Sequence, residues 1–157
     1  MYKRILAAVD GSDTSNRALQ EAINLAKDQQ ATLRLVHVVD DAAAYLMMET
    51  PDQVPYLITE YQKALREGGQ QLLTTCASRV REAGLEPETR MRTIETLDQH
   101  IYDAVAEEAE QWPADLIVIG THGRRGFRRL MLGSVAEGLA RAATLPVLLV
   151  HNAQSST

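Results

Sequence analysis

The residue types best suited to chemistry crowd into one stretch, Gly120-Thr-His-Gly-Arg-Arg-Gly-Phe-Arg-Arg-Leu-Met-Leu-Gly-Ser134. It lies between a short β-branched run, Asp115-Leu-Ile-Val-Ile-Gly120, and a helical pattern that opens at Ser134. A glycine-rich loop that leaves a strand and ends on a helix N-terminus offers unpaired backbone N–H groups and the positive end of a helix dipole, which is where phosphate binds. Arg124, Arg125, Arg128 and Arg129 add positive charge to the same loop. The stretch therefore reads as the phosphate end of a nucleotide site. Ser134 with Glu137 at the third following position reads as a capping box, so the Ser134 hydroxyl has two competing uses: the Glu137 backbone N–H, or a bound phosphate.

Two further groups could complete such a site. Asp10 follows the apolar run Ile5-Leu-Ala-Ala-Val9, at the mouth of a strand, where a carboxylate can accept hydrogen bonds from ribose hydroxyls. Asp10-Gly-Ser-Asp13 is also a good turn, so Asp10 has a second reading as a turn or cap aspartate. Val38, near the end of Leu33-Arg-Leu-Val-His-Val-Val39, is placed for its backbone to read an adenine edge, although valine there is ordinarily core.

These positions need a scaffold of strands and helices. The runs 5–9, 116–119 and 147–150 are continuously apolar and 33–39 is apolar apart from Arg34 and His37, as strands buried on both faces are, whereas Glu88–Ile94 alternates like an edge strand. Helical periodicity separates them at about 13–29, with Ala18, Ala22, Leu25 and Ala26 on one face. A longer pattern, about 53–84, carries Tyr61, Leu65, Gly68, Leu72, Cys76, Val80 and Ala83 as its stripe and Gly84 as its stop. A third helix is predicted from Thr96, with Gln99 as its capping-box partner and Leu97, Ile101 and Val105 inward, to about Gln111. A fourth runs from Ser134 to about Ala143. Residues 40–55 read as a loop. Strand and helix alternating to the end predict an α/β fold: one doubly wound, Rossmann-like domain over 1–151, a five-stranded parallel sheet in the order 3-2-1-4-5, helices on both faces, and a polar tail at 152–157.

Composition narrows the function. The chain has 157 residues, 45% apolar and 24% charged, with a net charge of −5. An acidic balance argues against a nucleic-acid binder, so a basic cluster within it suits a small anion. No run approaches the ~20 apolar residues of a membrane span, so no membrane insertion is expected. A lone Cys76 on the apolar stripe reads as an inert core thiol and fits a cytoplasmic location. The four histidines show no zinc-type spacing; His122, inside the glycine loop, is the one with a plausible ligand role, set against a plain loop role. The edge strand at 146–151 carries no charge between Pro146 and His151, whereas Glu88, Arg90 and Arg92 guard the opposite edge. This predicts a homodimer through 146–151.

The segments Val9-Asp10-Gly11-Ser12, His37-Val38-Val39-Asp40 and Asp115-Leu-Ile-Val-Ile-Gly-Thr-His-Gly123 together resemble the universal stress protein family, as does the closing Pro146-Val147-Leu-Leu-Val150. The spacing Gly120-x2-Gly123-x9-Gly133-Ser134 is similar to the signature of the ATP-binding branch. The resemblance implies that Ala8 and Val38 meet adenine through the backbone and that Asp10 holds the ribose. It further implies that Gly120, Gly123, Arg124, Arg125 and Gly126 wrap the phosphates, beside Gly133, Ser134 and Val135 at the helix end. One departure stands out: family members often carry a Gly-x-Pro turn after strand three, and Thr93-Ile94-Glu95-Thr96-Leu97 has neither residue.

The function this implies is an ATP-binding regulatory protein of the stress response that passes its nucleotide state to a protein partner. Mg²⁺ would be held mainly by the phosphates. The alternative is a slow ATP hydrolase or phosphotransferase. Phosphoryl transfer needs a placed metal carboxylate and a group that orients the nucleophile. The chain has no Walker motif and no lysine in the glycine loop, so efficient catalysis is not expected. A phospho-receiver reading fails, because Thr93 and Ile94 stand where its aspartate would be, and His151 and Asn152 where its lysine would be.

Overall fold

The computed structural model describes residues 1–47, 54–122 and 132–152. Its strands are β1 (Arg4–Ala8), β2 (Thr32–Asp40), β3 (Glu88–Ile94), β4 (Leu116–Gly120) and β5 (Val147–Val150). They form one parallel sheet in the order β3-β2-β1-β4-β5, as the alternation of elements predicts. The helices are α1 (Asp13–Gln29), α2 (Val54–Glu82), α3 (Ile101–Gln111) and α4 (Ser134–Ala142).

The pleat explains why the central strands are apolar on both faces along most of their length. Ile5, Ala7, Leu33, Leu35, Leu116 and Val118 face α1 and α2, where they pack with Ala18, Leu19, Ala22, Ile23, Leu73, Cys76 and Val80. The alternate residues Leu6, Val36, Ile117 and Ile119 face Val105 and Ala109 of α3 and Leu139 of α4. Helices thus cover both faces. Burial pushes the Cys76 thiol up, against the opposing pull of Arg79, so the unreactive thiol form is favoured.

Small residues set how closely the layers approach. A Cβ on Gly120 would lie 2.8 Å from the Thr14 carbonyl carbon and 2.9 Å from the Ser15 nitrogen, so this glycine seats α1 against β4. A Cβ on Gly69 would meet the His37 ring at 2.8 Å. Gly84, at φ +87°, ends α2 as expected. At the β3 edge, Arg34 binds the buried Glu108 at 2.7 Å, with Arg92 and Arg90 at 3.5 and 3.7 Å. The edge charges therefore serve an ion cluster as well as guarding the strand.

Several local expectations are corrected. Residues 42–47 form a 3-10 helix inside the stretch read as a loop. In α2 the buried glycine is Gly69, while Gly68 is exposed: the buried positions are Leu73, Cys76, Ala77 and Val80, and Leu72 and Ala83 of the expected stripe pack partly buried beside them. Helix α3 begins at Ile101, not Thr96. The Asp103 carboxylate accepts the His100 N–H at 3.1 Å and provides the capping that Gln99 was expected to give, and Leu97 is left 63% exposed.

Candidate functional site

The mouth of the sheet is organised around the turn after β1. Gly11 takes φ +82°, and the Asp10 Oδ1 accepts the Ser12 N–H at 2.9 Å, an Asx-type turn. Ser12 caps α1 by accepting the Ser15 N–H at 3.2 Å, and the Ser15 hydroxyl in turn accepts the Asp10 N–H at 3.0 Å. The turn reading of Asp10 is therefore realised, and it fixes the carboxylate at the C-terminal end of the strand.

This turn is tied to the exit of β4. The Thr14 and Ser12 hydroxyls both donate to the His122 carbonyl, the latter at 3.4 Å. The His122 Nδ1 lies 3.0 Å from the Thr121 hydroxyl. Fully buried Thr121 continues the ladder by donating its N–H to the Val150 carbonyl at 3.0 Å, and its own carbonyl accepts the Gly133 N–H at 2.7 Å. The chain thus leaves the sheet at Thr121 and is fastened to it again at Gly133. Gly123, Arg124, Arg125 and Gly126, with Arg128 and Arg129, lie outside the described residues.

At Gly133 the capping box gives way. Gly133, not Ser134, is the N-cap of α4, with φ −62° and ψ 155°. Glu137 sits one position too late to reach back; its N–H donates to the Gly133 carbonyl at 2.9 Å and its carboxylate binds Arg141 at 2.7 Å. Glycine has no side chain to accept from the first-turn amides, so among the described residues no side chain caps α4, and its positive dipole end faces the crevice.

The end of β2 supplies a second set of backbone groups. The Val9 N–H donates to the Val36 carbonyl at 2.9 Å, so the polar backbone groups of Val36 point toward β1. Strand alternation turns those of Val38 to the same side. The β1–β2 register stops at Ala8↔Val36, two residues short of Val38. Ala8, Val38 and Val135 are all half-buried and pack against one core cluster, with their backbone at the sheet's rim.

The structure thus brings together Ala8, Asp10, Val38, Gly120, His122, Gly133, Ser134 and Val135 at the carboxyl ends of β1, β2 and β4 and the N-terminus of α4. In an open α/β sheet this is the crevice where strand order reverses. Sequence reasoning missed Ser12, Thr14 and Thr121, which knit the crevice together. The run Ser12-Asp-Thr-Ser15 after a strand was the available signal. A separate surface pocket of about 440 Å³ beside α3 is lined by Asp98, Asp103, Glu107 and Glu110, a charge unsuited to phosphate. Among the described residues there is no cluster of three His, Cys, Asp or Glu able to hold a metal, and no helix long and apolar enough to cross a membrane.

Known proteins share this framework. A universal stress protein of Bacillus subtilis (strain 168) is 33% identical over 153 residues, spanning 96% of this chain and 100% of its own. A solved structure from the universal stress protein family of Burkholderia pseudomallei is 34% identical, with a TM-score of 0.72 over 95% of this chain and 96% of that one. A universal stress protein from Archaeoglobus fulgidus, solved in complex with dAMP, is 25% identical with a TM-score of 0.61, covering 95% of this chain and 98% of that one. The Universal stress protein family matches residues 1–151, and the chain belongs to that family.

Proposed function

We propose that the crevice binds ATP and that the protein is a regulatory nucleotide sensor without efficient catalysis. The observation that carries this reading is an α4 N-terminus with no side-chain cap among the described residues, fastened through Gly133 and Thr121 beside the Asp10 turn. Phosphates would meet the amides of Gly133, Ser134 and Val135, together with Gly120, His122, Gly123, Arg124, Arg125 and Gly126 of the loop. Asp10 would accept the ribose hydroxyls, and the backbone of Ala8 and Val38 would read adenine. Mg²⁺ would rest mainly on the phosphates, since it keeps most of its waters and needs few protein ligands. The dAMP complex of the Archaeoglobus relative supports an adenine nucleotide in this fold.

Native mass spectrometry of the purified protein tests the reading, with one nucleotide per chain expected and no response to added ATP refuting it. Gly123→Val combined with Gly133→Val should abolish that mass shift. Turnover of labelled ATP well above roughly 1 per second would make the protein an enzyme instead.

The same reading includes a homodimer through residues 146–151. Strand β5 is the sheet's outer strand, and Leu148 on it is 37% exposed. An apolar strand edge of this kind favours pairing with a second copy. Sedimentation should give a dimer that Leu148→Lys converts to monomer; a wild-type monomer at high concentration would refute the interface.

A further inference from the structure

The His37 ring makes a contact that alters the sheet at the point where the nucleotide base would sit. Its Nδ1 lies 2.7 Å from the Val9 carbonyl oxygen. A carbonyl can only accept, so Nδ1 carries the proton and donates it. The ring belongs to the α2 side of the sheet, pressed into the space that the missing Cβ of Gly69 leaves open and beside the Met91 sulfur. The ring is buried, and its bond to Val9 is made out of reach of bulk water.

The ladder shows what this contact replaces. The parallel β1–β2 register ends at Ala8↔Val36, with the Val9 N–H on the Val36 carbonyl. One more rung, Val9↔His37, would require the Val38 N–H to donate to the Val9 carbonyl. That carbonyl instead accepts from the His37 ring. A side chain has taken the acceptor that the next strand amide would have used, and the Val38 N–H faces β1's side beyond the last rung.

We infer that His37 is a positioning residue: by occupying the Val9 carbonyl, it stops the β1–β2 ladder one rung early and keeps the Val38 amide available to an adenine edge. The adenine part rests on the nucleotide reading above; the ladder part does not. Gly69 belongs to the same device, since a Cβ there would meet the His37 ring at 2.8 Å and the absence of a side chain leaves the ring its place.

The test has two arms. In the ligand-free protein, amide hydrogen exchange at Val38 should slow about tenfold in His37→Leu, because the freed Val9 carbonyl completes the rung, and should return toward wild type in His37→Asn, whose amide can still donate. In binding titrations, His37→Leu should weaken ATP about tenfold and leave tripolyphosphate unchanged, with His37→Asn again recovering. Gly69→Ala, which displaces the ring without removing its donor, should move both readouts in the same direction and guards against a leucine variant that folds poorly. Equal Val38 protection in wild type and His37→Leu would overturn the ladder role. Equal weakening of ATP and tripolyphosphate would overturn the positioning role and leave His37 a packing residue. Should wild type bind no ATP, the nucleotide reading fails while the exchange arm still decides the ladder.

Discussion

Asp10 has two tasks assigned to it, and one substitution separates them. Its Oδ1 accepts the Ser12 N–H at 2.9 Å, a bond that shapes the β1–α1 turn. Asparagine keeps a carbonyl oxygen in that place, so Asp10→Asn should hold the turn and alter stability by less than about 0.5 kcal/mol. A ribose hydroxyl, however, would donate to a carboxylate in the native protein and to a neutral amide in the variant. Hydrogen bonds to charged groups contribute roughly 1.5–3 kcal/mol and neutral ones about 0.5–1.5, a difference near 1–1.5 kcal/mol. That corresponds to about tenfold weaker ATP binding, measurable by isothermal titration. Asp10→Ala should show both effects, adding a loss of about 1 kcal/mol, or roughly 2–4 °C in melting temperature. Repeating the titration with 2′,3′-dideoxy-ATP closes the cycle: a ligand without those hydroxyls should bind wild type and Asp10→Asn equally. If Asp10→Asn weakened ATP and its dideoxy form alike, the carboxylate would act on the site as a whole and the ribose assignment would fall.

Gly120→Ala places a methyl against the Thr14 and Ser15 backbone, so overpacking of about 1–3 kcal/mol should lower the melting temperature by roughly 2–12 °C in calorimetry. Gly133→Asp supplies a side-chain cap to α4, so stability should rise by about 0.3 kcal/mol, while ATP affinity falls through repulsion of the phosphates; both are read by a melt with and without nucleotide. Asp115 accepts the Lys3 and Arg4 N–H groups at 2.7 and 2.8 Å, and these bonds hold its carboxyl below the ordinary value of 3.8. Its contribution is therefore complete above that value and is lost as pH falls through the lower folded-state value. Asp115→Asn should flatten the acid limb of the stability curve below about pH 4 and leave its slope near neutrality unchanged.

The sheet was legible because each central strand is buried on both faces, which writes a largely apolar run into the sequence, broken in β2 only by Arg34 and His37 between Leu33 and Val39, and because α1 and α4 carry their core residues at helical spacing. Helix starts were harder to read. Thr96 and Ser134 both head a plausible capping box, yet the boundaries fall elsewhere: Asp103 reaches back to the His100 N–H at the start of α3, and Gly133, which has no side chain to cap with, begins α4. Gly120 was legible as important, but its backbone contact with Thr14 comes from a helix distant in sequence and no local pattern records it. The same holds for the Thr14 bond to His122 and the His37 bond to Val9: each joins the side chain of one element to the backbone of another. Asp10, Val38 and the glycine spacing could be read because they sit at strand ends whose position follows from the apolar runs.

The pairing of Ile5 with Leu116 joins the first strand to one made after nearly three-quarters of the chain, and it lies at the heart of the sheet. A newly synthesised chain can complete β1, β2 and β3 early, but its crevice then has only one wall. The opposite wall arrives with β4 and α4, after a long loop has been closed against its entropy. A molecule that touches both the Asp10 turn and the α4 terminus consequently recognises the finished fold and nothing on the way to it. Its binding energy then adds to the global unfolding free energy, not to that of one segment, by RT ln(1 + [L]/Kd). Occupancy of the crevice would report in a single quantity both the supply of ligand in the cell and the integrity of the chain that holds it.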